Sequence, residues 1–304
     1  MRRSLLALAT VVLAGAGIFA APAISGASSS STAVFPTVST KWGVQPKISF
    51  PTKTAPTALE QEVIHHGSGP KVQKKDLLIA NYVAQIWDGK VFDNSWTSDP
   101  GAFPIGVGLV IKGWDDELVN DHIGDRVVLV VPPADGYGSA GQSSAGITGK
   151  DVLVFVVDLE SQYSLSSVHA DARATKEHSA VGGVSVTGKL SGPPTISIAK
   201  GTAKPSTEKV TVLDRGNGKK INAGIVVMQL LYVNWSGQLQ GSTWASGSPA
   251  GQPVGEKNAP SIFDDLSGVP LGSRVLITLP ESSGDGPYAL VADLGAEPYH
   301  GTGQ

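Results

Sequence analysis

From Leu77 the chain runs LLIANYVAQI, from Arg126 RVVLVVPP, and from Val152 VLVFVVDLE. Each run is rich in β-branched and aromatic residues and is bounded by turn formers, which predicts strands. One stretch breaks the pattern. GWDDELVND (from Gly113) reads as a short helix with Leu118 and Val119 turned to a core. Asp115, Asp116 and Glu117 load its first turn, where the helix dipole favours anions. The expected fold class is α+β, an antiparallel sheet with one short helix packed on one face.

The pattern occurs twice. PKISFPTKTAPTALEQEVIHHGSGPKVQKKDLLIANYV from Pro46 resembles PTISIAKGTAKPSTEKVTVLDRGNGKKINAGIVVMQLLYV from Pro194. Both read as short strand, Pro-rich loop, strand, Gly-rich turn and long apolar strand. HIGDRVVLVVPP from His122 then matches PLGSRVLITLPE from Pro270, and DVLVFVVDLESQY matches YALVADLGAEPY. A period of domain size means two copies of one fold rather than a solenoid. The copies are placed at 34–163 and 182–299. Residues 164–181, polar and without strand alternation, are expected to be a linker, and 300–304 a tail.

Composition narrows the function. The chain has 304 residues and a formal net charge of -3, which offers no basic face for nucleic acid. It has no cysteine, which excludes disulfides and thiol catalysis. MRRSLLALATVVLAGAGIFAAPA opens with a basic start, an apolar stretch and small residues, so 1–27 reads as a signal peptide. In ISGA (Ile24 to Ala27) an alanine stands where a bacterial lipobox has its acylated cysteine. The expectation is therefore a secreted protein with no stable membrane anchor, led by a flexible segment at 28–33.

VIKGWDDEL, with DGKVFDNSW upstream and PPADGYG and LVFVVDLE downstream, resembles FKBP-type peptidyl-prolyl isomerases. The likeness runs from about Val63 to Glu160 and rests on four blocks in order. It implies a curved sheet around a short helix, with the ligand pocket between sheet, helix and the loop before the last strand. It further implies Trp114 as pocket floor, with Gly113 leaving room for a ligand. Tyr82, Phe92, Asp93, Phe103 and Phe155 fall on the family's walls, and Tyr137 on its loop tyrosine. Val110 and Ile111 precede the Gly-Trp pair, and the Ile111 N–H is expected to meet a ligand carbonyl. Ile147 is the apolar tip of the flap Ser139 to Gly149. A family aromatic falls on Gly101, which implies a wider pocket there. A family arginine is replaced by Lys112, expected to face solvent.

The implied activity is prolyl isomerisation of proline-containing polypeptides, with no cofactor and no metal. Macrolides such as rapamycin are the implied inhibitors. The second copy is expected to be degenerate. Gln240-Gly241 stands against Phe92-Asp93, Ile262 followed by Phe263 against Trp114, and Val291 against Phe155, while Tyr232 and Trp244 are kept. PESSGDGPYALVADL is too short to carry a counterpart of Tyr137. A second function class stays open: a non-catalytic chaperone with two isomerase-like peptide cradles.

Overall fold

The computed structural model describes residues 35–255, 261–281 and 286–297. The expected signal peptide, leader and tail lie outside the described residues. The first unit comprises β1 (Thr37–Val38), β2 (Ile48–Ser49), β3 (Glu60–His65), β4 (Leu77–Ile86), β5 (Val91–Asn94), β6 (Gly101–Pro104), α1 (Lys112–Glu117), β7 (Arg126–Val131) and β8 (Leu153–Tyr163). The second comprises β9 (Thr175–Lys176), β10 (Ala180–Val181), β11 (Val184–Thr187), β12 (Thr195–Ile198), β13 (Lys209–Arg215), β14 (Gly224–Asn234), β15 (Leu239–Ser242), α2 (Thr243–Ser246), β16 (Ala250–Val254), β17 (Arg274–Leu279) and β18 (Tyr288–Ala296). No described helix is long and apolar enough to cross a membrane.

The first main sheet has strand order β3-β7-β8-β4-β5, with β6 also paired to β4. The second repeats it as β13-β17-β18-β14-β15, with β16 on β14 and β9 added outside β13. All pairs are antiparallel. The irregularities repeat as well. Register shifts at Val63/His65, Ile79/Ala80 and Ala84/Gln85 recur at Val212/Asp214, Val227/Met228 and Tyr232/Val233. Bulges re-aim side chains and are specific features of a fold, so their recurrence pins the two sheets residue to residue.

The strands read as unbroken apolar runs because both sheet faces are covered. Val127, Leu129 and Val131 of β7, with Phe155 and Val157 of β8, face α1. Val128, Val130, Val154 and Val156 face the other way, against Phe35, Val38, Ile48 and Phe50 of the β1–β2 hairpin. An arginine in each unit fastens this outer layer. Arg126 donates to both oxygens of Asp158 (2.6 and 2.8 Å) and to the Ser39 and Val44 carbonyls (2.8 and 2.7 Å). Arg274 likewise holds Asp293 (2.6 and 2.8 Å) and the Lys189 and Gly192 carbonyls (3.2 and 2.9 Å). The Gly-rich turns also match: a Cβ at Gly67 would lie 2.3 Å from the Ile123 carbonyl, and one at Gly216 2.3 Å from that of Leu271.

Two features differ from expectation. Residues 164–181 are not a strandless linker, since β9 pairs with β13 and β10 with β11. The two-residue ladders are too short to impose alternation, but buried Val168 and Ala170 flanking exposed His169 are a local trace of it. In the second unit a single 3-10 turn, Asp264–Leu266, takes the place of α1.

Candidate functional site

α1 lies across the sheet because its first turn is nearly free of bulk on that side. A Cβ at Gly113 would sit 3.1 Å from Leu59 Cδ1 and from both Val131 methyl groups. Gly113 therefore serves close packing of helix on sheet, which corrects the expectation that it opens space for a ligand. Trp114 follows it into the core and is fully buried. Its Nε1 has no hydrogen-bond partner, so packing alone holds the ring.

Around Trp114 the sheet supplies four more rings. Phe103 from β6 lies 4.7 Å from it between centroids, Phe155 from β8 5.6 Å and Tyr82 from β4 5.9 Å. Phe92 from β5 continues the wall 6.0 Å from Phe155. All meet edge to face, the arrangement that aligns ring edges with the negative faces of neighbours. Val110, Ile111 and Ile147 are buried in the same cluster, and Tyr137 packs against it half-buried. Every predicted site residue but Asp93 thus contributes apolar surface to one place.

Asp93 is the polar exception. Its Oδ2 accepts from the Tyr82 hydroxyl at 2.6 Å and its Oδ1 from the Asn94 N–H at 2.8 Å. Burial, and then Asp93, push the Tyr82 hydroxyl well above its ordinary range. The Tyr137 hydroxyl is pushed up to about 12 by burial and by the charge of Asp93, so it stays a proton donor at physiological pH. The Ile111 carbonyl accepts from the Trp114 and Asp115 N–H groups at 3.0 and 3.2 Å. Its own N–H makes no hydrogen bond among the described residues, leaving a donor at the head of α1.

Several supports were not legible beforehand. Asp115 accepts from the Gly106 and Gly108 N–H groups, both at 2.6 Å, and so shapes the loop that leads to Val110. Lys112 is not merely solvated: it pairs with Asp116 and reaches Asp135 at 3.1 Å, tying α1 to the loop that bears Tyr137. In the flap, Gln142 and Ile147 exchange backbone hydrogen bonds (2.9 and 3.0 Å), which turns Ile147 inward. At Gly101 the missing side chain is replaced by a neighbour, for a Cβ there would lie 2.2 Å from the Phe103 ring.

The matched bulges correct three equivalences in the second unit. Leu230, not Tyr232, stands at the place of Tyr82: its N–H donates to Thr243 Oγ1 at 2.8 Å as that of Tyr82 donates to Ser95 Oγ at 2.9 Å. Tyr232 pairs with Gly241 as Ala84 does with Asp93. Asp264 accepts from the Gly255 N–H as Asp115 does from Gly106, which sets Phe263, not Ile262, opposite Trp114. The Arg274–Asp293 pairing aligns β18 so that Leu290, not Val291, replaces Phe155. Gln240 and Gly241 do stand for Phe92 and Asp93, and buried Gln252 stands for Phe103.

The first unit is thus an α+β domain whose sheet and helix enclose an aromatic cradle with a few polar groups at its rim. Residues 69–160 match the family model for FKBP-type peptidyl-prolyl cis-trans isomerase. The FK506-binding protein of Streptomyces anulatus is 33% identical over 117 residues, which are 38% of this chain and 94% of that protein. The FKBP-type peptidyl-prolyl cis-trans isomerase FkpA of Escherichia coli is 39% identical over 108 residues, or 35% of this chain. The chain spans 38% of the length of that relative. A crystal structure of FkpA from Escherichia coli matches at 38% identity over 36% of this chain and 50% of that one, with a TM-score of 0.32. The chain belongs to the FKBP-type peptidyl-prolyl cis-trans isomerases.

Proposed function

We propose that the first unit catalyses cis-trans isomerisation of X–Pro bonds in polypeptides outside the cytoplasm, and that the second unit keeps the fold without the activity. The observation that carries this reading is the ring cluster around Trp114, closed on one side by Tyr137 and the Ile111 N–H. A planar amide resists rotation by ~18–20 kcal/mol because planarity carries resonance. At the twisted transition state that resonance is lost, and with it much of the charge separation. A water-poor aromatic wall therefore favours the twisted form over the planar one.

In this reading Trp114, Tyr82, Phe155 and Phe92 surround the prolyl ring, with Phe103, Val110 and Ile147 completing the wall. Ile111 N–H and Tyr137 O–H orient the flanking carbonyls. Asp93 acts through Tyr82, whose hydroxyl it holds, rather than as an acid or base. The same walls suit macrolides such as rapamycin, whose binding would compete with substrate. The basic, apolar, small-residue opening of the chain supports export. A second reading, peptide cradling without catalysis, is favoured only by the second unit, where Gln240, Gly241 and Leu230 replace Phe92, Asp93 and Tyr82. NMR exchange spectroscopy on a short X–Pro peptide with the full-length chain tests the proposal: accelerated exchange supports it, and the uncatalysed rate rejects it.

A further inference from the structure

Side chains alternate along β4 and β6, so each strand has a pocket face and a back. Leu78, Ala80, Tyr82 and Phe103 belong to the cluster around Trp114. Leu77, Ile79 and Ala102 point the opposite way and, with Val168 and Tyr163, pack against Val227, Ile225 and Ala296 of the second unit. The back of the strands that hold two pocket walls is therefore a contact surface between the units.

The surface is nearly self-complementary. Ile79 pairs with Ala102 across β4 and β6 as Val227 pairs with Gly251 across β14 and β16. Ala102 and its equivalent Gly251 meet across the contact, as equivalent positions do in an interface with two-fold symmetry. At its centre the symmetry is broken. A Cβ placed on Gly251 would lie 2.4 Å from the Ala102 Cβ and 3.5 Å from Leu77 Cδ2. Alanine facing alanine would collide there, so two first units cannot pair in this way, whereas the unlike units can. The connection is pinned too: the Leu165 carbonyl accepts from Gln229 Nε2 at 3.0 Å, the Gly272 carbonyl from the Asp171 N–H at 2.7 Å, and Val168 fills the space beside Gly295.

We propose that the second unit is a fitted partner of the first, and that it presses on the back of β4 and β6 to hold Tyr82 and Phe103 in place. Leu77, Ile79, Ala102 and Gly251 are then positioning residues, remote from the substrate. Its catalytic consequence rests on the isomerase reading above.

A reciprocal exchange in the full-length chain tests this. Gly251→Ala should speed hydrogen exchange at the amides of Leu77 to Ala80. It should also lower kcat/KM at least about threefold below the unfolding transition, against the roughly hundredfold that a 1 Å displacement of a positioning group can bring. Adding Ala102→Gly to that variant should restore both. Val227→Ala loosens the same contact by removing methyl groups, so it keeps the test available if Gly251→Ala does not fold. The inference is overturned if Gly251→Ala and Val227→Ala both leave exchange at Leu77 to Ala80 unchanged, or if the double exchange fails to restore a disturbed Gly251→Ala. Should the unaltered chain prove inactive, the isomerase reading fails, while the exchange data still decide whether the units are fitted.

Discussion

The two units share a scaffold and differ in what lines it. Strand order, three bulges, a glycine-tight turn and a buried arginine–aspartate clamp recur in both. The ring cluster does not. Where the first unit has Tyr82, Phe92, Phe103, Trp114 and Phe155, the second has Leu230, Gln240, Gln252, Phe263 and Leu290. Gly113, on which the close seat of α1 depends, becomes Ile262, and the helix shrinks to a 3-10 turn. The clamp and the ring cluster therefore draw on separate residues. Either set changes without the other, because the clamp and outer hairpin lie on one face of the sheet and the rings on the other.

The largest expected effect tests what is shared. Arg126→Ala leaves the Asp158 carboxylate buried and unpaired, and Arg274→Ala does the same to Asp293. Each should cost about 3–5 kcal/mol in urea unfolding. A large loss in one unit and none in its counterpart would break the claim of a common scaffold.

The next test addresses what differs. Phe92→Ala should lower kcat/KM by about ten- to hundredfold, the equivalent of the ~1.5–3 kcal/mol gained when a ring, half-buried here, is covered by substrate. Gln240→Ala, at the matching place on β15, should leave kcat/KM unchanged. Equal losses would put a working site in both units. A smaller effect separates desolvation from hydrogen bonding within the first site. Tyr137→Phe removes one hydroxyl and should lower kcat/KM about two- to tenfold with the melting temperature unchanged, as one net hydrogen bond allows. A greater loss than from Phe92→Ala would assign catalysis to the hydroxyl instead.

The smallest effect concerns pH. Burial, and then the charge of Asp125, push the Asp121 carboxyl from 3.8 up to about 7, against the Gln61 hydrogen bond that lowers it. Between those values the folded chain holds a proton that the unfolded chain releases. Stability from this group is thus highest in acid, falls as pH rises through the window and is level above about 7. Asp121→Asn should flatten that slope and raise the melting temperature at pH 8, modestly, because the side chain is partly exposed. Val269 stands at the matching place in the second unit, so the substitution should lessen the slope of the first unit's urea transition and leave that of the second unchanged. An unchanged slope in Asp121→Asn would assign it elsewhere.

Much of this was legible in the chain. Unbroken Val-rich runs predicted the strands, and the four blocks contain Phe92, Trp114, Tyr137 and Phe155, which the fold gathers with Tyr82 and Phe103 in one cluster. What was missed follows from how sequences are aligned. Tyr82-Val83 and Tyr232-Val233 look alike as letters, yet the bulges and the Thr243 contact shift the second pair by two residues. A two-residue slip keeps a side chain on the same face, so apolar alternation gives no warning. Asp115 read only as a charge suited to the helix dipole, and Lys112 as solvated, because their partners, a loop amide pair and Asp135, are brought close only by the fold. The Gly251–Ala102 contact was invisible for the same reason, since nothing local marks a glycine that faces another unit.

The central claim is one catalytic site, in the first unit, on a scaffold that the second shares. It is tested most directly by measuring kcat/KM for an X–Pro peptide with full-length Trp114→Leu and Phe263→Leu, each at a temperature where it is folded. The account predicts that Trp114→Leu loses most of the activity and that Phe263→Leu keeps it. Activity that survives Trp114→Leu, or falls equally with Phe263→Leu, would contradict it.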